Sequence, residues 1–114
     1  MRTRKEVIDF CMTFPDSYLD YPFHDDNWGV MRCGRNKKCF VFLCEREGVI
    51  WVSVKCDPEW THLWREAFDS VIPGYHLNKK YWNTIILDGT VPDEDIERMI
   101  GESYDLVSGS PRQL

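Results

Sequence analysis

Between residues 18 and 55 the chain alternates four short runs rich in β-branched and aromatic residues (18–23, 28–33, 39–44 and 49–55) with three polar breaks at 24–27, 34–38 and 45–48. Breaks of four or five residues built from Asp, Asn, Gly, Lys and Glu suit hairpin connections. In the last run Ile50, Val52 and Val54 alternate with Trp51, Ser53 and Lys55, so one side of the strand is apolar throughout. That period of two defines an antiparallel meander with one covered face.

Helical patterns flank the meander. Thr3-Arg4-Lys5-Glu6 has the S/T-x-x-E form of a capping box, and Val7, Phe10, Cys11 and Phe14 follow at i, i+3, i+4, i+7 before Pro15. Asp57-Pro58 is an N-cap followed by a proline at the first helical position, and Trp60, Leu63, Trp64, Ala67, Phe68 and Val71 then hold helical spacing, which predicts a core-facing stripe. Pro73-Gly74 breaks the chain, residues 82–87 read as a final strand, and Pro92 opens a last helix with Ile96, Met99, Ile100, Tyr104 and Val107 on one face. Acids Asp93, Glu94, Asp95 and Glu97 fill its first turns, where negative charge meets the positive end of the helix dipole. The expected fold class is α+β, in the order α-β-β-β-β-α-β-α, with an antiparallel sheet and helices packed on one face. Residues 1–107 form one domain in this reading, and 108–114 form a flexible C-terminal tail.

The 114 residues contain five Trp, five Tyr and six Phe, enough bulk for a core. No apolar run reaches the length of a membrane span, and residues 1–6 carry no apolar signal region, so a cytoplasmic protein without a membrane role is expected. Cys11, Cys33, Cys39, Cys44 and Cys56 form no C-x-x-C pair, and reduced, buried, inert thiols are the default, with a redox or metal role for Cys33 and Cys39, facing each other across a turn, as the alternative. The chain has no G-x-S-x-G, H-E-x-x-H or phosphate-cradling glycine motif, and the expectation is a protein that is not an enzyme and has no cofactor.

The stretch Pro73-Gly74-Tyr75-His76-Leu77-Asn78-Lys79-Lys80-Tyr81-Trp82-Asn83-Thr84, then Leu87-Asp88-Gly89, Val91-Pro92-Asp93 and Ser103-Tyr104-Asp105-Leu106-Val107, resembles the signature of the MmcQ/YjbR family of small bacterial proteins. The resemblance covers nearly the whole chain. It implies a CyaY-like α+β fold and a DNA-binding label that derives from paired hairpins resembling a double wing. It brings no cofactor and no catalytic residue set. Where the family motif commonly has a second His after Lys-Lys, this chain has Tyr81.

Two segments carry the chemistry that DNA contact needs. Arg32, Arg35, Lys37 and Lys38 surround one hairpin turn, where cations can meet phosphates and release condensed counterions. His76, Asn78, Lys79, Lys80 and Trp82 combine phosphate contacts with an aromatic surface for stacking on a base. The net charge of −5 opposes tight nonspecific binding, yet residues 88–105 hold seven of the nineteen acids and one of the fourteen bases, so the remainder has one more base than acid. The second reading is a protein-interaction or small-ligand module in which the aromatic sheet face, with Trp28, Trp51, Tyr81 and Trp82, and the His76 loop form a recognition pocket. A third is frataxin-like metal binding by Asp16, Asp20, His24, Asp25 and Asp26, although these residues follow Pro15 in strand and turn, where solvated turn acids account for them better. His62 is expected on an exposed helix face, and the protein is read as a monomer.

Overall fold

A computed structural model describes residues 1–109. The capping box forms as its residues dictate: Thr3 Oγ1 accepts from the Glu6 amide and Glu6 Oε1 from the Thr3 amide, both at 3.1 Å, opening α1 (Arg4–Cys11). Strands β1 (Ser17–Asp20), β2 (Gly29–Cys33), β3 (Cys39–Arg46) and β4 (Val49–Lys55) follow, then α2 (Pro58–Ala67), β5 (Val71–Pro73), β6 (Trp82–Ile86) and α3 (Asp93–Ser108). The six strands form one antiparallel sheet in the order β1-β2-β3-β4-β6-β5. The α+β class, the antiparallel pairing and the helix-covered face agree with the expectation. Among the described residues, no helix is long and apolar enough to cross a membrane.

Register sorts the side chains. Met31 lies opposite Val41, Val41 opposite Val54, Leu43 opposite Val52 and Val52 opposite Ile85, so these residues share the helix-facing side and pack in one core with Val7, Cys11, Ile96 and Ile100. Between β2 and β3 the pairing slips: Met31 meets Val41 but Arg32 meets Cys39, leaving Phe40 as the extra residue of a bulge. Phe40 turns inward beneath α3, with ring centroids 5.8 Å from Phe14 and 5.2 Å from Tyr104, while Phe14 and Tyr104 stack at 4.8 Å. Ser103 locks this corner. Its hydroxyl donates to the Phe40 carbonyl at 2.6 Å and accepts from the Lys55 amide at 2.8 Å, tying α3 to two strands.

Four features depart from the sequence reading. First, β5 pairs with β6 (Val71 with Ile85, Ile72 with Thr84), so the described residues form nine elements rather than eight; a three-residue edge strand ending in proline has no periodicity to betray it. Second, Val71 is therefore strand, and α2 stops at Ala67. Third, the α2 stripe does not face the core. Trp60 is 54% and Leu63 50% exposed, whereas buried Thr61 and the Arg65 guanidinium, whose Nε donates to Asn83 Oδ1 at 2.6 Å, face the sheet. Helix α2 sits over the narrow β5–β6 edge, where polar anchoring fixes its rotation and only Trp64 and Phe68 reach the core margin. Fourth, α1 ends at Cys11, and Ser108, placed in the tail from sequence, is the last residue of α3 before the left-handed Gly109 cap. Residues 110–114 of the expected tail lie outside the described residues.

These placements separate two aromatic truncations. Phe40→Ala opens a cavity in a fully buried corner and should cost about 3–5 kcal/mol in urea unfolding. Trp60→Ala should change stability by less than about 0.5 kcal/mol, the range of exposed positions. Comparable losses for both would return the α2 stripe to the core.

Candidate functional site

The face of the sheet away from the helices carries Phe42, Ser53 and Thr84 side by side across β3, β4 and β6, with Trp51 and Trp82 two residues along their strands on the same side. This face is not left bare. Residues 74–81 leave β5 and fold back across it, beginning at Gly74, where a Cβ would stand 2.7 Å from Trp82 Cβ and 3.0 Å from the Trp82 carbonyl oxygen. The Tyr75 amide donates to Thr84 Oγ1 at 2.9 Å, and that oxygen lies 2.7 Å from Ser53 Oγ in a buried hydroxyl pair.

Tyr75 then organises the aromatic side chains. Its ring lies edge-on to Trp51 at 5.3 Å and parallel to Trp28 at 6.0 Å with 10° between planes. The Arg46 guanidinium sits 4.5 Å from the Tyr75 centroid and 4.8 Å from that of Trp51, a cation on two ring faces. Trp28 is held from its own backbone: Asp25 Oδ1 accepts from the amides of Asn27 at 2.9 Å and Trp28 at 2.7 Å. The Asn27 side chain accepts from the Glu45 amide at 2.7 Å and donates to the Glu45 carbonyl at 3.3 Å, standing in for a strand residue beside β3.

The result is an open cleft of about 290 Å³ lined by Phe23, Trp28, Phe42, Tyr75, His76 and Leu77. Behind the Trp28–Tyr75 pair lies a second hollow of about 250 Å³, where Asn27, Glu45, Arg46 and Glu47 supply polar and charged groups. The two rings thus divide an apolar slot from a charged one. Such an arrangement can hold a flat apolar group and meet a polar extension beyond it.

The residues singled out for DNA contact fall into two places. Arg32 Nε donates to Asp20 Oδ2 at 2.9 Å and Nη1 to the Lys37 carbonyl at 2.8 Å. Arg35 Nη1 reaches the Ser108 carbonyl at 3.4 Å and Asn36 Nδ2 donates to the Val107 carbonyl at 2.9 Å, so this turn caps the negative end of α3. Lys37 and Lys38 are exposed on the same turn. In the other segment, Asn78 Oδ1 accepts from the Lys80 amide at 2.9 Å, Lys79 Nζ donates to the Gly74 carbonyl at 3.0 Å, and Lys80 lies over Tyr81 at 5.5 Å. Arg65 of α2 donates to the carbonyls of Lys79 and Trp82, pinning the end of the segment. His76 takes a left-handed backbone (φ 61°) on the cleft rim, and Trp82 packs edge-on to Phe42 at 5.4 Å.

Of the four aromatics suspected of forming a pocket, Trp28 lines the cleft and Trp51 backs Tyr75, while Trp82 supports Phe42 and Tyr81 lies outside. The sequence reading missed Phe23, Phe42, Tyr75, Leu77 and Arg46 as site residues. Strand alternation could have placed Phe42 beside Trp51, but nothing in local sequence brings Tyr75 to them. The acids of the metal reading are dispersed: Asp20 pairs with Arg32 and Asp25 caps backbone amides, and among the described residues no three His, Cys, Asp or Glu side chains come together as a metal would require. His62 is exposed on α2.

An α+β domain with helices on one face of an antiparallel sheet, and an aromatic cleft under a folded-back segment on the other, is the class of protein that these features define. The chain belongs to the YjbR family, whose model matches residues 12–106. It is 33% identical over 102 residues to the protein YjbR of Escherichia coli (strain K12), covering 90% of this chain and 84% of that protein. It is 27% identical over 117 residues to YyaQ of Bacillus subtilis (strain 168), covering 93% and 98%. The crystal structure of Deinococcus radiodurans protein DR2400 superposes with a TM-score of 0.88 at 34% identity, covering 100% of this chain and 93% of that one.

The thiols offer a direct check of packing around the sheet. All five are free, and Cys39 alone is half-buried rather than buried. Burial pushes the Cys11 thiol up to about 12; burial, then Glu102 and Asp57, push Cys56 up to about 11. At mildly alkaline pH, maleimide should therefore modify Cys39 first, with Cys11, Cys33, Cys44 and Cys56 reacting only in denaturant. Rapid labelling of Cys11 in the native protein would contradict this packing.

Proposed function

We propose that this protein is a binding module whose ligand is a small molecule with a planar apolar group, held against Trp28 and Tyr75. The observation that carries the reading is the cleft itself. A segment that folds over the sheet and buries much of it still leaves Trp28, Phe42, Tyr75 and Leu77 open to solvent around about 290 Å³. That volume sits at the lower edge of the range of about 300–1,000 Å³ usual for ligand sites and suits one or two fused rings. The walls are fixed by backbone hydrogen bonds at Tyr75 and Trp28, so little ordering remains for a ligand to impose. The lining is mostly hydrocarbon, chemistry that supports holding a ligand rather than transforming it.

Nucleic-acid contact is the second reading, and a separate observation favours it. The pairings Val41–Val54 and Lys55–Trp82 put the β2–β3 turn, the end of β4 and the start of β6 at one end of the sheet, so Lys37, Lys38, Lys55 and Lys80 approach a common edge. Asp57 and Glu59, which follow β4 directly, and the carbonyl end of α3 oppose that potential.

The two readings part in one experiment. The full chain is titrated with anilinonaphthalene sulfonate and, separately, with short single- and double-stranded DNA, each followed by amide NMR shifts at several salt concentrations. Ligand binding predicts sulfonate-induced shifts at Trp28, Tyr75 and Leu77, with affinity lowered about tenfold by Trp28→Ala or Leu77→Ala. DNA binding that falls steeply with salt, with shifts confined to 37–38 and 79–80 and a slope flattened by Lys37→Ala with Lys38→Ala, would replace the first reading with the second.

A further inference from the structure

The stripe that the sequence assigns to the core is the starting point. Trp60, Leu63, Trp64 and Ala67 recur at i, i+3, i+4, i+7, and in the structure they line a groove of about 390 Å³ whose other wall is Arg98 and Glu102 of α3. A helix spends such a stripe on whatever it packs against. Here the sheet side of α2 is occupied by Thr61 and Arg65; of the stripe, Trp64 reaches the core margin, while Trp60 and Leu63 are half exposed.

We propose that this groove docks a cationic amphipathic helix of a partner protein. The apolar floor runs from Trp60 to Ala67, seven rises of 1.5 Å or about 10 Å, which matches two turns of a helix laid between α2 and α3. Its borders are acidic on both sides. The solvent side of α2 carries Glu59 and Glu66, with Asp69 just beyond, and on α3 Glu94 and Asp95 share by helical spacing the flank of Arg98 and Glu102. Arg98 is matched by Glu102 at 3.3 Å, and Lys55 stands beside Trp64 and Glu102 at the inner end of the groove, so the cations lie within it and the acids along its outer borders. An apolar floor between acidic rims complements a helix with leucine-like residues on one face and Lys or Arg flanking them. A second copy of this chain is a poor occupant, because it would set these same acids against each other. Trp60 and Leu63 offer the side chains that anchor such contacts: a large amphipathic ring and a branched aliphatic at the groove's exposed edge. The groove lies on the helix side of the sheet, so its occupancy is independent of the aromatic cleft.

Fluorescence anisotropy on the full chain decides the matter with three labelled synthetic peptides: a leucine–lysine helix with its leucines on one face, the same residues shuffled, and a leucine–glutamate counterpart. The first should bind at least about tenfold more tightly than the other two, and Trp60→Ala, Leu63→Ala or Glu66→Lys should each weaken it by about tenfold. Trp28→Ala, which disrupts the cleft, should leave peptide binding unchanged. Equal binding of the shuffled peptide, indifference to Trp60→Ala and Leu63→Ala, or loss of binding on Trp28→Ala would overturn the proposal. Sedimentation showing a dimer dispersed by Trp60→Ala would overturn it in favour of self-association.

Discussion

Two buried hydroxyls, Ser53 on β4 and Thr84 on β6, stand 2.7 Å apart in the middle of the sheet face that no helix covers. Buried polar groups need partners, and these satisfy each other while leaving Thr84 Oγ1 able to accept from the Tyr75 amide. That bond fixes where residues 74–81 recross the sheet. Tyr75 then sets Trp28, Trp51 and Arg46, so the aromatic cleft is built outward from one hydroxyl pair. Gly74 makes the turn-back feasible, since any larger residue would collide with Trp82 as the chain leaves β5.

Electrostatics follows the same economy. The β2–β3 turn is basic and also packs against the end of α3, whose last carbonyls carry the helix's partial negative charge. Arg35 and Asn36 donate to the Ser108 and Val107 carbonyls, while Asp93, Glu94 and Asp95 sit at the positive end. Part of the charge that looks like a recruiting surface in the sequence, Arg35, thus serves one sixteen-residue helix, while Arg32 pairs with Asp20 and Lys37 and Lys38 stay exposed. The acids left over on α2 and α3 lie on the helix side of the molecule, and the lysines of 37–38 and 79–80 gather at one end of the sheet, which leaves a chain of net charge −5 with two sides of different character.

Where a residue's role is local, it was legible in the sequence. The Thr3–Glu6 box, the Asp57-Pro58 start, the alternation of Val52 and Val54 with Trp51 and Ser53, and the α3 face of Ile96, Met99, Ile100 and Tyr104 all act within a turn or two of chain, and all appear as read. The misses concern pairing at a distance. Periodicity shows that α2 has an apolar stripe, but which side meets the sheet is decided by Arg65 reaching Asn83, eighteen residues away. Strand β5 is three residues whose identity comes only from lying beside β6. The bulge that turns Phe40 inward exists only in the register between β2 and β3. The cleft is the extreme case: Phe23, Trp28, Phe42 and Tyr75 come from three separate stretches of chain, and Tyr75 reads locally as a residue after a Pro-Gly break.

His76 shows how such a cleft can be stiff although it is made from a loop. Its backbone lies in the left-handed region at φ 61°, a conformation that histidine tolerates better than most residues but that still carries a cost. The reversal it makes lets Tyr75 lie against Trp28 while Leu77, two residues on, lines the same hollow. The cost is offset on both sides, by the Tyr75 amide bond to Thr84 before it and by the Leu77 amide bond to the Gly74 carbonyl at 3.4 Å after it. From the far end the Arg65 guanidinium holds the Lys79 and Trp82 carbonyls. A segment anchored at its start, middle and end has few backbone freedoms left to lose, so the rings it carries are held in place by the fold itself.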